Sequence, residues 1–115
     1  MRQFLGAVLV LELAASAAVA EERRGIRFWN LTADTVKELS LSPAGQERFG
    51  PNQCKNDKDG EVDHDERLRI TGIEPGRYDV KLADARRVCI VRNIDIKAGT
   101  VFAIEEKQLT ECTKR

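Results

Sequence analysis

Beyond residue 20 the chain is cut into short runs of alternating apolar and polar residues, each closed by a turn signal, and this pattern limits it to a layered β fold. "GIRFWNLT" sets Ile26 and Phe28 against Arg27 and Trp29 and then reaches an Asn-Leu-Thr-Ala-Asp turn. "TVKELSLS" places Leu39 and Leu41 on one face and stops at "SPAG". "ERLRITGI" alternates Leu68 and Ile70 with Arg67 and Arg69, and "EPGRYDVKLAD" opens on a Pro-Gly turn and aligns Tyr78, Val80 and Leu82. "RRVCIVRNIDI" and "TVFAIEE", joined by "KAG", complete the set. A period of two with Pro, Gly, Asn and Asp at the breaks is the signature of strands. No long amphipathic helical period competes with it. Only "EEKQLTEC" near the end reads as a helical turn.

Six to seven short strands predict a small antiparallel β-sandwich with a short C-terminal helical turn. An OB-like barrel is the alternative, but it lacks the groove of aromatic and basic residues that such barrels use.

The first twenty residues do not belong to this pattern. Arg2 is followed by the apolar run "FLGAVLVLELAASAAVA", which ends in Ala18-Val19-Ala20. This is the layout of a cleavable signal peptide, residues 1–20, with the cut expected before Glu21. The run is interrupted by Glu12 and falls short of the ~20 apolar residues of a membrane span. The expected product is one domain, residues 21–115, periplasmic or secreted and not inserted in a membrane. Removing residues 1–20 takes one Arg and one Glu from nineteen basic and nineteen acidic residues, leaving eighteen of each. That balance argues against nucleic acid as a partner.

An exported chain meets an oxidising compartment, and three cysteines remain: Cys54, Cys89 and Cys112. One disulfide and one free thiol are expected. Cys89–Cys112 is the favoured bridge, tying the C-terminal tail to the domain, with Cys54–Cys112 the alternative. No pair has the close spacing of a zinc site.

Through the stretch Asn30 to Gln53 and over most of the chain beyond residue 20, the sequence resembles a group of small exported alphaproteobacterial proteins of unassigned function. The shared features are an early Asn-Thr turn, a strand ending in Ser-Pro, an aromatic-Gly-Pro turn, a Pro-Gly turn and a Tyr-Asp strand. Here they are Ser42-Pro43-Ala44-Gly45, Phe49-Gly50-Pro51, Pro75-Gly76 and Tyr78-Asp79, with Phe49 where the group has Trp. The resemblance implies a β-sandwich and export, and carries over no catalytic residue. The motifs also read physically as turns, with an aromatic capping an edge of the core.

One stretch invites a chemical reading. "CKNDKDGEVDHDE", Cys54 to Glu66, holds six carboxylates in thirteen residues together with the chain's single histidine, His64. Against the calcium loop of an EF-hand, Gly60 falls on the sharp turn, and Asp57 and Asp59 on ligand positions. Glu61 would offer its carbonyl, Asp63 would act through water, and Glu66 would be the bidentate ligand. Calcium or a lanthanide would suit such oxygens. Lys55 occupies the first ligand position, however, and the flanks read as turn and strand rather than helices. The competing reading is a mobile, solvated connection.

Catalytic arrangements are poorly served. Any triad must use His64, with Cys54 the nearest nucleophile, and no phosphate loop, zinc motif or dinucleotide fingerprint occurs. The sequence therefore points away from an enzyme, toward a binding protein that meets a protein partner through a sheet edge or loop end. The acidic loop is its alternative centre.

Overall fold

The computed structural model describes residues 25–115. The signal peptide expected at residues 1–20 lies outside them. Seven strands run in the order β1 (Ile26–Leu31), β2 (Glu38–Pro43), β3 (Arg67–Ile70), β4 (Gly76–Ala83), β5 (Arg87–Ile96), β6 (Val101–Glu105) and β7 (Glu111–Lys114). Two 3-10 turns interrupt them, Gln53–Asn56 before β3 and Glu106–Gln108 after β6. Among the described residues no helix is long and apolar enough to cross a membrane.

The strands form two sheets, β3-β1-β6 and β2-β4-β5-β7. Their inner faces are the apolar halves of the alternating runs. Ile26, Phe28, Leu68, Ile70, Phe102 and Ile104 come from the first sheet; Leu39, Leu41, Val80, Leu82, Cys89, Val91 and Ile96 come from the second. Phe28 is fully buried and its ring lies 5.6 Å from that of Phe102, centroid to centroid. Each such side chain contributes about 1.5–3 kcal/mol when removed from water.

Three features go beyond the alternating pattern. The pairing of β1 with β6 is parallel, Arg27 aligning with Val101 and Trp29 with Ala103, whereas every other pairing between strands is antiparallel. The segment expected as a helical turn is one only over Glu106–Gln108, after which the chain extends into β7 and carries Cys112. All four β7 residues are exposed, so this strand has no apolar alternation by which to be read. Phe49, expected to cap the core, lies half-buried beneath the ammonium of Lys81, 5.2 Å from the ring centroid.

The third feature is a bulge in β5. Tyr78 pairs with Ile94 and Val80 with Val91, so Asp79 faces two residues, Arg92 and Asn93. The extra residue flips the alternation: Cys89 and Val91 face the core before it, Ile94 and Ile96 after it. Asn93 takes φ +58°, a left-handed conformation that Asn tolerates better than most residues. Asp79 is 2% exposed and holds the bulge in place. Its Oδ1 accepts from Asn93 N at 2.9 Å, and its Oδ2 from Gly45 N at 2.9 Å and Arg92 Nη1 at 3.3 Å. One carboxylate thus joins the bulge to the turn after β2.

The Cys89–Cys112 disulfide is present, the two residues standing directly opposite each other in the β5–β7 ladder with Cα atoms 4.1 Å apart. Since β7 buries nothing, this bond and a few polar ties hold it. Arg115 contributes two, its backbone N–H to Arg86 O and its Nη1 to Asp84 O.

Two outcomes follow for stability. Cys112→Ser should lower unfolding free energy by about 3 kcal/mol, as expected for opening a loop of 23 residues. Amide exchange should rise in β7 before it rises in β1 or β4, and an unchanged urea midpoint would refute the assignment. Asp79→Asn should cost about 2–3 kcal/mol at neutral pH, because an amide nitrogen cannot accept the donated bonds. The Gly45 N–H, then the Asn93 N–H and Arg92, outweigh burial and hold the Asp79 carboxyl below its ordinary value of 3.8. Its stabilisation is therefore complete above about pH 4 and lost as pH falls further. Urea titrations of the two proteins should converge in acid; a constant gap would contradict this.

Candidate functional site

The acidic stretch is tied down rather than mobile. Asn52 caps the first 3-10 turn through its side chain, and Gly60 takes φ +74° at the tip of the connection. Val62 is 1% exposed and forms an isolated antiparallel bridge with Val36, with bonds of 2.8 and 2.9 Å in the two directions. Across that bridge Lys37 stands against Glu61, 3.9 Å away, and Thr35 Oγ1 donates to Asp63 Oδ1 at 2.8 Å. Asn30 secures the arrangement from β1. Its Nδ2 donates to the carbonyls of Val62 and Asp34, and its Oδ1 accepts from Thr32 N and Oγ1.

Four of the five residues read as a cation site, Asp57, Glu61, Asp63 and Glu66, have side chains turned to N–H, hydroxyl or ammonium partners. Asp57 Oδ2 accepts from Asp59 N at 2.8 Å, and Glu66 Oε2 lies 3.4 Å from Asp63 N. Glu61 and Asp63 meet Lys37 and Thr35. Among the described residues no three His, Cys, Asp or Glu side chains are grouped so as to hold a metal ion. The physical reason is the Val36–Val62 bridge. It extends the chain where an ion loop would have to curl, and the flanking helices of an EF-hand are absent.

Cys54 and His64 engage different partners. Cys54 is fully buried, with Sγ 3.8 Å from Val36 O. Burial first, then the nearby Asp57, Glu38 and Glu61, pushes its thiol up to about 11. A nucleophilic cysteine needs the opposite shift. His64 is exposed, with Nδ1 2.7 Å from Thr32 O.

The strongest ionic cluster spans the two sheets. Arg87 of β5 places Nη2 3.0 and 2.7 Å from the two oxygens of Glu106, and Nε 3.0 Å from Asp84. Glu106 also accepts from Ala33 N, just beyond β1, at 2.9 Å. That N–H, followed by Arg87, overcomes burial and holds the Glu106 carboxyl below its ordinary range. For Asp84 burial is the largest influence and pushes upward. The N–H groups of Arg86 and Arg87 together with the Arg87 side chain prevail, and the net shift is downward. One guanidinium here serves two carboxylates, and backbone N–H groups of Ala33, Arg86 and Arg87 take up the rest of their acceptor capacity, so the cluster fastens the sheets.

Depressions of about 380 and 410 Å³ lie on the outer face of the four-stranded sheet and share Lys81 and Val88. Ser40 pairs with Lys81 across β2 and β4, but the ammonium lies over the Phe49 ring. Neither depression contains a nucleophile with an adjoining base.

The three-stranded sheet is different. Its outer face carries Arg27, Arg67, Arg69 and Trp29, with Val101 and Ala103 beside them and Glu105, which pairs with Lys107, at the far end of β6. In the β1–β3 pairing Arg27 is directly opposite Arg69 and Trp29 opposite Arg67. The Arg67 guanidinium lies 4.3 Å from the Trp29 ring centroid, and Trp29 Nε1 donates to Asp65 at 2.9 Å. This face went unnoticed as a surface, although the alternation of Arg67 and Arg69 with apolar residues already set them outward.

Alongside it runs the free edge of β6. Arg27 N donates to Thr100 O at 3.1 Å, and the alternation of a parallel ladder then turns the peptide groups of Val101 and Ala103 away from β1. Among the described residues they have no partner.

A thiol reagent should leave Cys54 untouched in the native protein and modify it fully in denaturant; rapid native modification would contradict its burial. No family model, curated protein or solved structure matches the chain.

Proposed function

We propose that this chain is an exported, non-enzymatic interaction module that binds a protein partner by adding a strand to the free edge of β6. The observation that carries this reading is the contrast between β6 and the other three sheet edges. At β2 the outward groups are taken by residues 48–52: Gly50 N donates to Leu41 O, Leu39 N to Asn52 Oδ1, and Arg48 N to Ser42 Oγ. At β3 the side chain of Asn56 donates to Arg69 O, and Gln53 clasps both backbone groups of Thr71. At β7 the strand is short and carries Glu111 and Lys114. Covering, shortening and charging are the usual ways of disabling an edge. β6 carries a charge only at its last residue, Glu105, and over Val101-Phe102-Ala103-Ile104 its outward groups are uncovered; an uncovered apolar edge is what strand addition uses.

Export is part of the proposal. It rests on the signal-like residues 1–20 and is supported by the Cys89–Cys112 bridge, a bond favoured in oxidising compartments. The likeness to small exported alphaproteobacterial proteins is in keeping with it.

A photo-crosslinking residue at Val101 should yield a discrete adduct in the exported fraction, identified by mass spectrometry, while one at Asp59 yields none. The adduct should vanish in Ala103→Pro, which removes an outward N–H without touching the β1 ladder. Adducts of equal yield from both positions, or one that survives Ala103→Pro, would defeat the edge reading. Calorimetric titration of chelator-treated protein with calcium, then with a lanthanide, should show no saturable site. Binding lost on joint Asp59→Ala and Glu66→Ala would transfer the function to the acidic loop.

A further inference from the structure

We infer that the segment received at β6 is acidic, an extended polypeptide presenting carboxylates to the arginine face of the same sheet. The inference rests on the strand-addition reading above and specifies the chemistry of the partner.

Arg27, Arg67 and Arg69 stand apart from the ion-paired arginines of this protein. Arg86, Arg87, Arg92 and Arg115 each have a carboxylate partner, and Arg48 and Arg77, which have none among the described residues, lie on the other sheet and its loop rather than on this face. Among the described residues none of the three on the outer face of β3-β1-β6 takes part in an ion pair. Two of them face each other directly. With Arg27 N bonded toward β6, the Arg27–Arg69 pair falls at a site of the antiparallel ladder where strands lie closest, and like charges so placed repel. In addition, Arg27 Nε is buried without an acceptor. A buried charged donor left unpaired is costly, and a carboxylate arriving at this face would offset the Arg27–Arg69 repulsion and pair with the rest of the Arg27 guanidinium.

The register provides the route. Strands in a sheet lie about 5 Å apart, so an added strand would run about 10 Å from β1. The residues between are Val101, in line with Arg27, and Ala103, in line with Trp29. Both are small, so a Glu on the added strand can reach over β6 toward Arg27. Trp29 and Arg67 border the same path, and Trp and Arg are the residue types most concentrated at energetic centres of interfaces. The open peptide groups of β6 call for a polypeptide. A zero formal net charge fits an acidic peptide better than a polyanion such as nucleic acid.

The test uses synthetic peptides of about ten residues, a usual strand length. One alternates Glu with Thr, and its control carries Gln in place of Glu. Binding to the oxidised protein is followed by fluorescence anisotropy at low and high salt. The Glu peptide should bind roughly tenfold or more tighter than the Gln peptide, the value of one charge-assisted bond. High salt and the double variant Arg27→Gln, Arg69→Gln should each erase that difference. The variant should remain folded by circular dichroism, since it removes a repulsion. Equal binding of both peptides, abolished by Ala103→Pro, would overturn the acidic partner and leave the edge reading standing. Glu-peptide binding lost in the arginine variant but untouched by Ala103→Pro would overturn the edge and retain the arginine face. Polyphosphate binding without peptide binding, or no binding at all, would overturn both.

Discussion

Two open sheets of three and four strands necessarily expose four edges, each a row of peptide groups that must meet water, protein or another chain. Much of the irregular structure here answers that requirement. The loop after β2 folds back to bond its outer side, and the first 3-10 turn sends Asn56 and Gln53 across the end of β3. A disulfide holds the short polar β7 against β5. The chain after β6 also turns immediately, where the Gln108 side chain takes the N–H of Glu105. Protection stops there, two residues short of covering Ala103. The edge left open is the one next to Arg27 and Trp29 of β1, with Arg67 and Arg69 one strand further on the same face.

The core alone is small for two sheets, and buried polar side chains supplement it at the points where apolar packing gives out. Asn30 and Thr32, both essentially inaccessible, seal the end of β1 to the Val36–Val62 bridge. Asp79 secures the bulge on the far sheet, and Arg87 with Asp84 and Glu106 fastens one sheet to the other. Asn30, Thr32, Asp79 and Asp84 are each satisfied by several partners, which allows a charge or amide to sit where water cannot reach. Such sites specify geometry more sharply than apolar contacts do, because a carboxylate accepts only from donors in particular directions.

Six of the strands and the bridge between Cys89 and Cys112 were legible in the sequence, because each strand buries one face and so leaves a period-two trace. The elements that escaped leave no such trace. β7 buries nothing. The parallel pairing of β1 with β6 depends on which strands become neighbours, a long-range matter that local alternation does not encode. The flip at Arg92-Asn93 reads locally as two polar residues in an apolar run, and only the opposing Asp79 reveals a bulge. The acidic stretch misleads for a related reason. Its spacing was matched to an ion loop, while the residue that governs its shape is Val62, whose partner Val36 is distant in sequence. Arg27, Arg67 and Arg69 were each set outward correctly, yet their assembly into one face needed the β1–β3 register.

The burial of Cys54 also bears on the order of events as the chain matures. Cys54 precedes Cys89 and Cys112 in the chain, and while it is unburied an oxidant could couple it to a wrong partner. Once it is buried, the thiol is sealed and protonated, and Cys112 finds a single accessible mate across the β5–β7 ladder. With Cys54 buried, Cys89 is the one cysteine left facing Cys112 in the folded chain. The core thus also decides which thiol a reagent can reach, as well as supplying stability.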